Sequence, residues 1–339
     1  MLQLENDTPF AAERTIVMDK DGEKSWVVVV KATYLVQEDG TVELAAHQLP
    51  PLYSPEYSRE PGRSSMLYEA DLIATKATTD ILINGQAYAP AGKPAESVDV
   101  GFRIGALTKR LRVWGDRLWY TGYTGGLRAS SPLAFERMPI TYERAFGGWD
   151  KSDPDPSRQR LYSSNPVGAG FAMSAGQLNG HLLPNVEYPG QLISSWRDRP
   201  SPAGFGAIAS YWSPRLECGG TYDDEWMENK FPLLPDDFDD RFYQSAPTDQ
   251  QTVGYLRGGE IAVLVNLTQS GRWQFRLPKV YLAFSTWFGS EVVEHRASLQ
   301  TVIIEPDARR VIMVWQTSLD CHHELDDLDT TVIREKLYF

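Results

Sequence analysis

Reactive and metal-binding side chains are scarce in this chain of 339 residues, which holds two cysteines and five histidines. Cys218 and Cys321 stand alone and form no paired metal or redox motif; one long-range disulfide is the most they permit. His47, His181, His295, His322 and His323 frame no nucleophile, and no Gly-x-Ser-x-Gly elbow is present. Neither glycine-rich phosphate motif occurs. Gly168-Ala169-Gly170 and Gly204-Phe205-Gly206 sit in proline-rich surroundings, where glycine serves turns. Long apolar runs are missing too: the longest aliphatic or aromatic one, residues 26–30, is far short of the ~20 residues of a bilayer-crossing helix. Residues 1–15 carry Glu5, Asp7 and Glu13 and lack the apolar centre of a secretory signal. These absences lead to the expectation of a reduced cytoplasmic protein with no cofactor and no membrane insertion.

Excess positive charge is absent as well, and the net charge is −12. Residues 223–240 hold eight acids against Lys230, and residues 320–329 hold five acids and no base; the rest of the chain balances. Phosphate backbones require a cationic surface, so nucleic acid is a poor partner. The two acidic stretches are either solvated loops or docking surfaces for a basic partner. The docking reading selects Asp223, Asp224, Glu225, Trp226, Glu228, Asp236, Asp237, Asp239 and Asp240. A structural reading competes with it, in which Asp237 or Asp239 caps a helix start or pairs with Arg241.

What the chain does contain is turn formers and aromatics: 27 Gly, 22 Pro and ten Trp, a mix that suits short strands joined by tight turns. Residues 1–126 read as strands. Residues 25–36 are β-branched and aromatic, and Asp39-Gly40 turns them toward 41–44; residues 80–89 alternate, with Asn84-Gly85 a second turn candidate. Residues 98–104, 110–114 and 118–120 continue the pattern. Residues 127–259 show little periodicity and are dense in Pro, Gly and Trp, which predicts ordered irregular structure laid across a sheet, with one short helix near 133–145. Residues 260–339 return to β: 260–267, 271–277, 280–288, and a hairpin of 299–305 and 310–317 around Pro306-Asp307-Ala308-Arg309. The predicted fold is mainly β, with antiparallel sheets packed as a sandwich or barrel-like assembly. Because strands lie at both ends, residues 1–339 are read as one domain with three zones.

Few clusters could carry chemistry. Cys321-His322-His323-Glu324 gathers four metal-capable residues, but neighbours on a strand point to opposite faces. Asp236-Asp237-Phe238-Asp239-Asp240 is rich in hard ligands yet lacks calcium-loop spacing. Carboxylates and tryptophans in the middle zone keep a second reading open, an enzyme or carbohydrate-binding protein using that zone as a cleft.

A set of ordered motifs remains. Asp71, Lys76, Thr79-Asp80, Gly85, Ala87 and Ala89-Pro90 come first, then Gly115-Asp116-Arg117 and Trp119, and then Tyr142-Glu143-Arg144-Ala145-Phe146-Gly147-Gly148. Asn165-Pro166-Val167-Gly168, Pro184-Asn185 with Glu187, Pro202-Ala203-Gly204-Phe205-Gly206 and Trp212-Ser213-Pro214-Arg215 follow. Gly220-Thr221-Tyr222-Asp223, Pro235-Asp236-Asp237-Phe238-Asp239 and Leu256-Arg257-Gly258-Gly259-Glu260 complete the set. Over nearly its whole length the chain thus resembles the bacterial family called domain of unknown function 2169. That resemblance implies an accessory protein of type VI secretion, a non-enzymatic adaptor or chaperone. Such a protein would bind an effector and help load it onto the PAAR-type tip protein and VgrG-type spike. It implies no catalytic residue, and the segment 321–329 matches none of its motifs.

Overall fold

The computed structural model describes residues 3–123, 125–321 and 325–336. Its centre is the strand Lys24–Val36, whose run of valines is buried on both faces. Even-numbered side chains (Trp26, Val28, Val30) enter the main core, whereas Val27 and Val29 enter a smaller one on the far face. Burial on both sides explains why this segment reads as a continuous apolar run. It pairs antiparallel with Ala11–Met18 on one side and with Arg310–Asp320 on the other, and also with Val42–Leu44 across the expected Asp39-Gly40 turn. Arg310–Asp320 pairs with Ser298–Glu305 through the expected hairpin, and Asp80–Ile83 adds a parallel strand at the edge.

A five-stranded sheet runs in the order Val186–Glu187, Leu107–Trp114, Ser97–Ile104, Ile261–Val265, Arg272–Arg276. A four-stranded sheet runs Gln3–Asn6, Leu328–Glu335, Leu282–Phe288, Glu291–Arg296. Phe102, Leu111 and Leu264 from the former and Phe284 and Ile333 from the latter meet Trp26, Val28 and Met313 in one core. The sheets are stacked by their apolar faces; among the described residues none closes into a barrel.

Residues 127–259 form two- and three-residue strands, 3₁₀ turns, one six-residue helix and extended chain, as expected of a zone without periodicity. Two details differ from expectation. The helix expected near 133–145 is the short strand Arg137–Pro139 followed by a 3₁₀ turn, Tyr142–Arg144. Met138 and Ile140 point into the core between sheets, and pairing with Gln86–Tyr88 offers their backbone a ladder that outweighs helix propensity. Asn84-Gly85, the second turn candidate, forms no turn: its flanks Asp80–Ile83 and Gln86–Tyr88 join different sheets and make no hairpin. The strands Ala11–Met18, Glu291–Arg296 and Leu328–Glu335 escape the sequence reading, because each is half polar and lies at or near a sheet edge.

Buried polar links fasten the irregular zone and the loop that carries Asp71 and Lys76 to the sheets. Asp80, fully buried, accepts from Lys76 Nζ at 2.8 Å, Gln244 Nε2 at 2.7 Å and the Ser245 amide at 2.8 Å. Lys31 Nζ meets Asp71 at 2.7 Å. Glu187 takes Arg117 at 2.5 Å and the Trp114 indole at 3.2 Å. Most of these residues belong to the motifs quoted above, so much of that signature holds the fold together. No disulfide joins Cys218 and Cys321. His322, His323 and Glu324 lie outside the described residues.

Candidate docking surface

The acidic stretch 223–240 forms a small lobe with its own scaffold. Its root is Arg215, buried, whose guanidinium donates to Glu69 Oε2 and the Ile208 carbonyl at 2.6 Å each and to the Phe242 carbonyl at 2.9 Å. Gly220 turns the chain at φ +80°, and a side chain there would meet Asp237 and Pro235 at 2.9 Å. Asp223 then accepts from the Trp226 amide at 2.9 Å and caps the six-residue helix Asp224–Asn229, the one α-helix among the described residues. The Trp226 indole donates to the Leu233 carbonyl at 2.9 Å and closes the lobe. Tyr222 and Phe231 pack edge-on against its ring, centroids 4.7 and 5.7 Å away.

The acids divide into two groups. Asp236 accepts from Lys230 Nζ at 2.5 Å, Asp237 from the Thr221 amide and hydroxyl at 2.9 and 2.8 Å, and Asp239 from the Arg241 amide and guanidinium. The Lys230 bond at Asp236, the Thr221 amide at Asp237 and the Arg241 guanidinium at Asp239 hold these carboxyls below the usual range. Aimed at three different partners, they do not converge on one ion. Asp239 also begins the 3₁₀ turn Asp240–Tyr243, so the cap-and-pair reading describes it. Asp224, Glu225, Glu228 and Asp240 are exposed and stand in no ion pair with a described cation.

Beside those four carboxylates the lobe exposes large apolar side chains: Tyr222 is 55%, Met227 58% and Phe231 62% accessible. Trp226 itself is half-buried and serves as their platform. Sequence reasoning selected the acids and Trp226 but passed over Met227 and Phe231; aromatic residues interleaved with acids were the available signal. Chemically, an apolar tip rimmed by negative charge can seat a basic, partly apolar surface.

Other concavities flank Tyr142. A 350 Å³ pocket is lined by Ser65, Asn84, Gly85, Thr141 and Gly204, and a 400 Å³ pocket on its other side by Tyr188, Gln191, Pro202 and Asp249. Asp249 accepts from Lys109 Nζ at 2.8 Å and from the Tyr188 hydroxyl at 3.1 Å. Burial pushes the Lys109 ammonium down to about 8, against the pull of Asp249. Tryptophan does not line these pockets: Trp119 and Trp212 are buried packing residues, and Trp149 is exposed with Lys151 stacked on it at 4.4 Å.

The model of a family described as an uncharacterized protein conserved in bacteria, the domain of unknown function 2169, matches residues 21–316. No curated protein and no solved structure matches the chain. The matched segment takes in the Lys24–Val36 strand, the irregular zone with its acidic lobe, and the Arg310–Asp320 strand as far as Gln316. The chain belongs to this bacterial family.

Proposed function

We propose that the chain is a non-enzymatic adaptor of type VI secretion that docks a basic surface of an effector on the acidic lobe and helps load it onto the PAAR-type tip and VgrG-type spike. The observation that carries this is the exposure of Tyr222, Met227 and Phe231 beside four unpaired carboxylates. Exposed apolar clusters with a polar rim mark interaction sites, and aromatic anchors dominate binding energy there. The secretion context comes from the family resemblance; the docking chemistry comes from the lobe.

The test begins by identifying which neighbouring-gene product co-elutes with the chain at native concentration. Tyr222→Ala with Phe231→Ala is expected to weaken that complex by about 30-fold, the loss of one strong anchor. Asp224→Asn, Glu225→Gln, Glu228→Gln and Asp240→Asn together lower the association rate and the salt dependence, with the melting temperature unchanged. A partner that binds both variants as tightly as the parent chain sinks the proposal.

A further inference from the structure

The outer face of the five-stranded sheet carries charge of the opposite sign. Strand pairing places Arg272, Val265, Gly101 and Arg110 in one row across the sheet, and Gln274, Val263, Arg103 and Thr108 in the next. Arg276 stands beside Ile261 one row further. An aliphatic stripe, Ile261, Val263 and Val265, is therefore framed by Arg103 and Arg110 on one side and Arg272 and Arg276 on the other. All four arginines are exposed, and Ile261 and Val265 are 39% and 40% accessible. Gly101 lacks a side chain where the Arg110 stem lies: a Cβ there would sit 3.2 Å from Arg110 Cγ. The ion pair on this face is Arg112 with Asp99 at 2.7 Å; among the described residues none of the four framing arginines has a carboxylate partner.

Cationic side chains on an edge strand guard against sheet extension, which accounts for Arg272 and Arg276. Arg103 needs another reason, because Ser97–Ile104 pairs with a strand on each side. Arg272 donates to Gln274 Oε1 at 3.0 Å and Arg276 to the Gly259 carbonyl at 2.5 Å, both neutral acceptors. Exposed guanidinium groups without a carboxylate partner among the described residues, set around an aliphatic stripe in a chain of net charge −12, complement carboxylates spaced along an apolar backbone. We propose that this face docks an acidic, partly aliphatic polypeptide segment of a partner protein. It lies on a different sheet from the acidic lobe, whose root Arg215 binds Glu69 on the far side of the six-stranded sheet. The chain then presents two docking surfaces of opposite sign. Polyphosphate fits less well: Asp99 stands within the face, and the overall negative field repels a long polyanion.

The experiment measures anisotropy of a labelled peptide alternating glutamate and valine, titrated with the full chain at low and high salt. A peptide alternating lysine and valine and an oligothymidylate serve as comparisons. Saturable, salt-weakened binding of the glutamate peptide is expected. It should fall about tenfold or more in Arg103→Glu with Arg110→Glu, whose melting temperature should match the parent, and stay unchanged in the charge-neutralised lobe variant. Equal binding by the arginine variant, absence of saturable binding, or tighter binding of oligothymidylate would overturn the proposal.

Discussion

At the scale of single residues, buried charges fix the chain's geometry. Asp80 shows this. Its carboxylate satisfies Lys76, Gln244 and Ser245 in a site with no access to water. Replacing Asp80 with Asn leaves the Lys76 ammonium buried without a counter-ion, a change that costs about 3–5 kcal/mol. Denaturant melts of Asp80→Asn should show that loss, and a midpoint equal to the parent's would remove the pair from the scaffold. Asp71, Lys76 and Asp80 are quotable from the sequence as a pattern, but the pattern does not tell a ligand from a strut. Burial decides it for Asp80, whose oxygens already accept four hydrogen bonds, from Lys76, Gln244 and the Ser245 amide and hydroxyl.

At the scale of elements, the sheets are latched by polar side chains as well as by the core. His295, on the edge strand Glu291–Arg296, sits 2.7 Å from Thr286 Oγ1 in its own sheet and 2.7 Å from Thr317 Oγ1 in the six-stranded sheet. Thr286 continues the chain to Thr331, which accepts from the Trp26 indole. Burial pushes the His295 imidazole down to about 4, with Glu294 opposing. The unfolded ring titrates near 6.5, so between those values the unfolded chain binds the extra proton. The latch is fully present above about pH 6.5 and is lost as pH falls toward 4. Half-buried as it is, the ring contributes about 1–2 kcal/mol over that window after screening. Comparing unfolding midpoints of the parent and His295→Gln at both pH values checks this; the parent should lose more stability on acidification, and parallel losses would discard the latch.

At the scale of the whole molecule, the two ends of the chain build one sheet. Arg310–Asp320 pairs with Lys24–Val36 from Arg310 against Leu35 to Asp320 against Ser25. Removing residues 261–339 strips that partner from a strand buried on both faces and bares its edge, a template for aggregation. The remaining fragment is expected to be insoluble and to lack a cooperative melt. A soluble fragment with a sharp transition would divide the chain into independent units. Charge is also organised at this scale, with an acidic lobe and an arginine-framed face on different sheets of an acidic chain.

Strand character was readable from the amino acids wherever a segment's own pattern is decisive. Valines 27–30 and the turn at Pro306-Asp307-Ala308-Arg309 carry their local conformation in β-branching and a preset φ, and the acidic stretch carries its charge wherever it lies. Whether an acid in that stretch is spent on Thr221, Lys230 or Arg241 or left free depended on the fold of the lobe. Likewise, Arg103, Arg110, Arg272 and Arg276 read in sequence as ordinary polar positions of three separate strands. Only the pairing of Ser97–Ile104 with Ile261–Val265, far apart along the chain, sets them around one aliphatic stripe. Local conformation follows from neighbouring residues, whereas a surface is made by long-range register, which no single segment encodes.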